Sequence, residues 1–426
     1  MRVPVPSPGA RATARVAVTL LLVGPPAALA QLPAPIGPEI RVNTYTTGAQ
    51  RHPSVATPSG RFVVVWESDG QDGDQGGIFG QLYDDDFPTP LGTEFQVNAY
   101  TTGAQHAASV GAKFSPSFVV VWQSDGQDGD AGGIIARRYA SSGSPLGGEF
   151  QVNSYSTAVQ SAPAVAMDNA GRFVVVWASL GQDGSGYGIF GQRYASDGSP
   201  LGGEFRVNTS TTGFQGHPSV DMTPEGHFVV AWDGESAGED GLGIFAQRYV
   251  NDGAPYGGEF RVNAFTTGDQ HYPSVAADAN AFDVVWQSEG QDGSGAGVYN
   301  REFNLSTGAA GPEFRVNSLP NGAQTHPSVG SNWFMNCGLI WGDDGQDPQG
   351  GIFAVSPYGC GSGGPGTHVN TTTTGPQTEP VITHGGPDNL FAAWTSEQDP
   401  DGSVGIYAQL LFPGWLPVEL RDFTVE

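Results

Sequence analysis

The chain has two cysteines, one lysine and no apolar run long enough to span a bilayer. Two thiols, Cys337 and Cys360, are too few and too isolated for a zinc centre. In an oxidising compartment they could form one disulfide, if the fold brings them together. The single lysine, Lys113, belongs to a chain of formal charge −26. A surface this acidic repels phosphate backbones, so nucleic acid is not an expected partner, whereas divalent cations are attracted. The first thirty residues carry Arg2, Arg11 and Arg15 and no acid, so the remainder is more acidic still. Arg11 and Arg15 precede an apolar stretch, Val16 to Val23, too short to cross a membrane. Small residues at Ala28-Leu29-Ala30 follow, before Gln31, which is the layout of a cleaved secretory signal. No cysteine follows that cut to carry a lipid, and no later segment is apolar enough to span. The expectation is an exported, soluble monomer, or one held at the cell surface by a partner.

What is present is a repeat. Trp66, Trp122, Trp177, Trp232, Trp286, Trp341 and Trp394 recur at steps of 53 to 56 residues. Val-Asn pairs ending at Asn43, Asn98, Asn153, Asn208, Asn263, Asn317 and Asn370 keep the same beat. A chain of 426 residues would ordinarily hold two or three domains, but a continuous array shares one core.

The third unit is typical. Pro163–Ala166, Phe173–Trp177, Gly188–Tyr194 and Glu204–Asn208 read as strands, separated by breaks rich in Gly, Asp, Ser and Pro. A run such as Phe62-Val63-Val64-Val65-Trp66 has no polar alternation and must be buried on both faces. Glu94-Phe95-Gln96-Val97-Asn98 does alternate, as an exposed outer strand should. Four strands with a buried middle and a polar last member describe a propeller blade. The ends complement each other: an orphan fourth strand, Glu39–Asn43, precedes the first full unit, and the last unit has only three strands, Pro380–Thr383, Leu390–Trp394 and Val404–Leu411. An open solenoid would have capping units instead. The expected architecture is an all-β, seven-bladed β-propeller of four-stranded antiparallel blades spanning 39–411. The N-terminal strand closes the ring, 1–30 is the signal, 31–38 a linker and 412–426 a tail.

The phrase Phe-Val-Val-Val-Trp, Ser-Asp-Gly-Gln-Asp-Gly, Gly-Ile-Phe-Gly-Gln-Arg-Tyr, Gly-Gly-Glu-Phe-Arg-Val-Asn resembles tandem repeats of exported bacterial proteins, including large ones with calcium-binding RTX-type segments. The likeness covers nearly all of 39–411. It implies export and a propeller, and no particular activity. Residues 416–426 look like C-terminal tails of such exported proteins. Glycine-rich nonapeptide calcium repeats are absent from this chain.

The acidic connections between second and third strands are the first candidate site: Asp69, Asp72 and Asp74 in one copy, Asp125, Asp128 and Asp130 in the next, then Asp183, Asp240, Asp292, Asp347, Asp399 and Asp401. Calcium takes six to eight oxygen ligands and suits flexible Asp/Gly loops. The full EF-hand spacing is missing and some copies have lost acids, so a plain solvated turn explains the same residues. The repeating tryptophans could stack on sugars, but the end of a buried strand suits packing between blades. Trp333 and Trp415 break the rhythm. The irregular sixth unit, with both cysteines, Phe334, Met335 and a replaced connection from Ser356 to Gly366, is either a specialised ligand blade or an eroded one held by a disulfide.

His52, His217 and His326 come two residues after a recurring glutamine, and His106 and His271 come one residue after theirs. The two groups are out of phase, so a shared metal site is not expected; packing or hydrogen bonding at the start of the innermost strand is. His-Glu-x-x-His and phosphate-loop motifs are absent. The Ser-Asp-Gly turns do not match a sialidase-type Asp box. With 43 acids, chance carboxylate pairs carry no weight. Three roles fit: a non-catalytic binder of extracellular protein or polysaccharide through repeated loops, a secreted polysaccharide hydrolase or lyase, or a structural envelope module. An axial pocket lined by non-repeating acids with a His or Tyr would favour the enzyme; a face of repeated aromatic or Asp/Gly loops would favour the binder.

Overall fold

The computed structural model describes residues 33–84, 87–236, 240–331, 337–355, 364, 366–385, 389–398 and 402–412. Among them there is no helix, and twenty-eight strands form seven four-stranded antiparallel sheets. Blade one runs Gln50–Ala56, Phe62–Asp69, Gly76–Tyr83 and Pro90–Gln96 from inside to outside. Blades two to six follow in order, their innermost strands starting at Gln105, Gln160, Gln215, Gln270 and Gln324. Blade seven takes Gln377–His384, Leu390–Ser396 and Gly405–Phe412 from the end of the chain and Ala34–Arg41 from its beginning. The closing strand is longer than Glu39–Asn43: it starts at Ala34, inside the expected linker, and pairs Ala34 with Phe412 across a register shift between Ile36 and Ile40. The signal segment 1–30 and the tail 413–426 lie outside the described residues.

Each second strand is sealed on both faces. Val63, Val64, Val65 and Trp66 have no exposed surface, and all seven repeating tryptophans are equally buried. Burying a Val side chain contributes about 1.5–3 kcal/mol, so these runs dominate the core. The outer strands are short, two residues in blades two to six, and two side chains add to their backbone pairing. The Asn of each Val-Asn pair accepts the amide N–H of the third strand, as in Ile78 to Asn98 Oδ1 (2.8 Å) and Ile406 to Asn43 Oδ1 (2.8 Å). At Asn43, Asn98, Asn153, Asn263 and Asn317 its Nδ2 donates to the buried Gln opening the next innermost strand, as in Asn98 to Gln105 (2.9 Å), whereas Gln215 and Gln377 accept from Trp232 and Trp394. A buried amide with its donors and acceptor occupied is tolerated and specifies register. The Glu of the outer strand reaches back one blade: Glu94 accepts from Thr44 N at 2.7 Å, Glu204 from Ser154 N at 2.8 Å, and Glu39 closes the ring on Thr371. Blade six carries Gly366 at that position, and Ser318 N bonds Gly364 O instead.

The innermost strands splay around the axis and are stitched by serines: Ser54, Ser219, Ser274 and Ser328 each accept the amide N–H of a neighbouring blade through Oγ. Below this level Val55, Val110, Val165, Val220, Val275, Val329 and Ile382 ring a narrow channel of about 160 Å³. Lys113 crosses it, donating to Asp221 Oδ2 (3.0 Å), Met222 O (2.8 Å) and Ala277 O (2.9 Å). The only lysine of the chain is thereby a tie from blade two to blades four and five.

Candidate functional site

Each innermost strand carries a register shift just after its opening glutamine. The residue two places after that glutamine occupies the left-handed region in every blade: His52, Ala107, Ala162, His217, Tyr272, His326 and Glu379, with φ between 44° and 54° across the set. L-residues take this conformation only where the surroundings impose it, and such positions cluster at functional sites. Here the bulge imposes it seven times and turns seven side chains into an axial cup of about 550 Å³. The backbone is a rack of equivalent positions, and the sequence decides what hangs on it. Blades two and three hang alanine. The others hang two kinds of group: an aromatic arc and an ion-paired corner.

The corner joins blades seven and one. His52 Nε2 lies 2.8 Å from Glu379 Oε1, and His52 Nδ1 lies 2.9 Å from Glu67 Oε2. Hydrogen bonds donated to Glu379 and then to Glu67 outweigh partial burial and raise the His52 pKa to about 10. Burial pushes Glu379 upward, but the bonds and charge of His52, with a hydrogen bond from Thr395, hold it at about 2. The corner is thus an imidazolium between two acids at neutral pH, with both ring N–H groups already engaged.

The arc runs through blades four, five and six. Tyr272, 38% exposed, lies 4.8 Å from the His217 ring and stacks on His326 at 4.9 Å. His217 Nδ1 is 2.9 Å from Asp233 Oδ2, and the Asp233 side chain is fully buried. Burial opposes the charge of Asp233, but hydrogen bonds from His217 and His271 prevail and lower its pKa. His271, bonded to Asp233, is raised. An Nδ1–H held by a buried carboxylate leaves Nε2 of His217 as the acceptor nitrogen, the arrangement that orients an imidazole as a base. Burial lowers the pKa of His326, with Glu379 opposing and the His52 charge adding to it, so that ring is neutral at pH 7.

The axial cup, and not the Asp/Gly connections, is where the repeat is broken by chemistry-bearing side chains. Asp72, Asp128, Asp183, Asp292 and Asp347 each accept the amide N–H two residues on, at 3.0–3.3 Å, the bond of an Asx turn. Asp72 and Asp128 also accept from Asn98 and Asn153. Asp74 and Asp130 cap Gly103 N (2.9 Å) and Ala158 N (2.8 Å) of the next blade. Asp69 pairs with Arg51, and Asp125 with His106. Among the described residues no group of three or more His, Cys, Asp or Glu is placed to hold a metal.

Cys337 is disulfide-bonded. Cys360, the other cysteine of the chain, lies outside the described residues, as do Trp333, Phe334, Met335, Asp399, Asp401, Trp415 and most of the replaced connection. The histidines of the first group, His52, His217 and His326, share one ring position, while His106 and His271 sit one residue outside it. Tyr272, Glu379, Glu67 and Asp233 were not singled out by the sequence; aligning the units on the buried glutamine and reading two residues on would have found the first two. Gly234-Glu235-Ser236-Ala237-Gly238 has the spelling of a serine nucleophile elbow, but an elbow needs a strand-to-helix turn. Ser236 instead follows the second strand of an all-β blade.

No protein-family model matches the chain, and no curated protein is similar to it in sequence. Solved structures are similar in fold. An ulvan lyase of a new polysaccharide lyase family superposes with a TM-score of 0.55 at 9% identity, over 90% of this chain and 96% of that one. A second polysaccharide lyase gives 0.51 at 9% identity, over 90% and 98%. At such identity the likeness is one of fold.

Proposed function

We propose that this protein is an exported polysaccharide lyase that cleaves a uronate-containing chain by β-elimination in the axial cup. The observation that carries the reading is the arc His217–Tyr272–His326 beside the buried Asp233, set on a rack that carries alanine at two equivalent positions, Ala107 and Ala162. The fold similarity to two polysaccharide lyases supports it. Elimination needs a base for the proton α to the sugar carboxylate, an acid for the leaving oxygen, and a donor to the carboxylate as it takes up charge. His217 Nε2, oriented by Asp233, takes the C5 proton. The C5–H electrons form the C4–C5 double bond, the C4–O bond breaks, and the Tyr272 hydroxyl protonates the departing oxygen. His326, kept neutral by burial, donates an N–H to the carboxylate. Hydrolysis fits less well. A glycosidase needs a protonated carboxyl beside an ionised one, and the carboxyls at the cup are each paired with a histidine: Glu379 and Glu67 with His52, Asp233 with His217.

The surroundings are acidic, so a polyuronate is repelled at long range and held only within the cup. Cleavage should therefore strengthen as salt screens the repulsion. The test is incubation of the mature chain with pectate, alginate, hyaluronan and ulvan, following the ultraviolet absorbance of unsaturated uronate ends. Product with the wild type and none with Tyr272→Phe supports the assignment; reducing ends without unsaturation would point to hydrolysis. A non-catalytic polysaccharide binder is the second reading, favoured by the fact that the acids around the cup are already paired with histidines; binding without product would select it.

A further inference from the structure

Two more departures from the repeat extend the arc outward. Phe214 in blade four stands where other units have Ala49, Ala104, Val159 and Ala323, and Tyr187 in blade three stands where others have Gly76, Gly132 and Gly350. They touch each other, with ring centroids 6.0 Å apart at 70°, and Phe214 touches His217 at 6.0 Å. Both rings are half-exposed. The position after Gln215 is also changed: Gly216 replaces the Arg51, His106, Ser161 and Thr325 of other units. The reason is steric. A Cβ on Gly216 would stand 2.1 Å from Cζ of Phe214, so the glycine lets the phenyl ring fold back over its own strand toward the axis. Beyond Phe214 the surface falls into a second depression of about 460 Å³, walled by Glu235, Leu242 and Asp269.

Single aromatic substitutions in a repeat need no explanation. A run of five rings, Tyr187, Phe214, His217, Tyr272 and His326, drawn from four blades and linked step by step at 4.8–6.0 Å, does. We infer that Tyr187 and Phe214 form outer sugar-binding subsites that lead a polysaccharide chain from the rim over blades three and four into the axial cup. Sugar rings present apolar C–H faces that stack on aromatic side chains, while the hydroxyls stay solvated or meet Glu235 and Asp269 at the rim. Rigid rings give contact area at low cost in side-chain entropy. This subsite assignment rests on the polysaccharide reading above.

The test is a size series of oligosaccharides from pectate, alginate and hyaluronan, compared between wild type, Tyr187→Ala/Phe214→Ala and Gly216→Ser, which displaces the phenyl ring without removing it. Wild-type KM should fall with chain length. The double variant should lose that dependence, weakening long chains by about threefold to tenfold per ring, while the shortest cleavable oligosaccharide and kcat stay unchanged. Gly216→Ser should reproduce the Phe214 part, and Phe214→Trp should keep wild-type behaviour. A double variant that retains the length dependence, or loses short and long chains alike, overturns the subsites while leaving the lyase reading intact. A wild type that neither binds nor cleaves any of the three polymers removes both.

Discussion

At the same ring position, with the same left-handed φ, blades two and three carry Ala107 and Ala162 while blades four to seven and blade one carry His217, Tyr272, His326, Glu379 and His52. The backbone does not distinguish the two sectors. The difference therefore separates what the fold requires from what is placed on it: alanine suffices to close the ring, so the five larger residues are not structural necessities. The alanine blades are a control built into the molecule, and each prediction is a way of exchanging one sector for the other.

The largest effect should come from making blade four resemble blade two. His217→Ala removes the oriented base, and the expected loss in kcat/KM is about 10²- to 10⁴-fold, with the fold retained, because Ala107 shows the backbone position accepts alanine and His271 still pairs with Asp233. A collapse in stability instead would mean that the histidine holds the fold. The opposite pattern is expected in the core, where all blades are alike. Trp177→Ala should cost about 3–5 kcal/mol by denaturant unfolding, whatever its effect on turnover.

The corner of blades seven and one should act through pH. The folded His52 pKa, near 10 against 6.5 for a free histidine, means its stabilisation is complete below pH 6.5 and lost as pH rises through about 10. Glu379, near 2 against 4.5, stabilises above pH 4.5 and stops doing so as pH falls through about 2. The gap in melting temperature between wild type and His52→Ala should be widest from pH 4.5 to 6.5 and close toward both extremes. A gap independent of pH would show that packing, not charge, is what the corner provides. It should be modest, since His52 is half-exposed to solvent.

The smallest effect belongs to the alanine sector. A left-handed alanine is strained by about 1–2 kcal/mol, and glycine there gives back about 0.5–1 kcal/mol through unfolded-chain entropy. Ala162→Gly should therefore stabilise by up to about 1 kcal/mol with unchanged activity. Calcium is the remaining contrast. The Asp/Gly connections already have protein donors on their carboxylates, so adding calcium or a chelator should leave the melting temperature unchanged; a rise with calcium would return those loops to candidacy as ion sites.

The architecture was legible because its causes are local and repeated. The Phe-Val-Val-Val-Trp runs, the Val-Asn beat and the complementary ends each have one physical reading, and the structure supplies the partner of each: Asn to the third strand, Glu to the preceding blade. The closing strand was read too short because Ala34 to Ile36 lack a strand pattern and owe their pairing to the neighbouring Leu410, Leu411 and Phe412. The cup was half legible. His52, His217 and His326 stood out by spacing, but their left-handed conformation comes from a bulge that no residue type announces, since alanine adopts it as readily as histidine. Asp233 and Glu67 were hidden because each follows a tryptophan at a position filled elsewhere by Gln123, Ala178 and Gly342, and nothing local marks the two acids as facing the axis.

The central claim is that function resides where the ring departs from its own symmetry. It is tested most directly by a crystal structure of Tyr272→Phe soaked with a polyuronate oligosaccharide. A sugar lying in the axial cup, its C5 within reach of His217 Nε2 and its carboxylate at His326, is the predicted result. A sugar bound at the repeated Asp/Gly connections or on the outer strands, with the cup left to solvent, would contradict it.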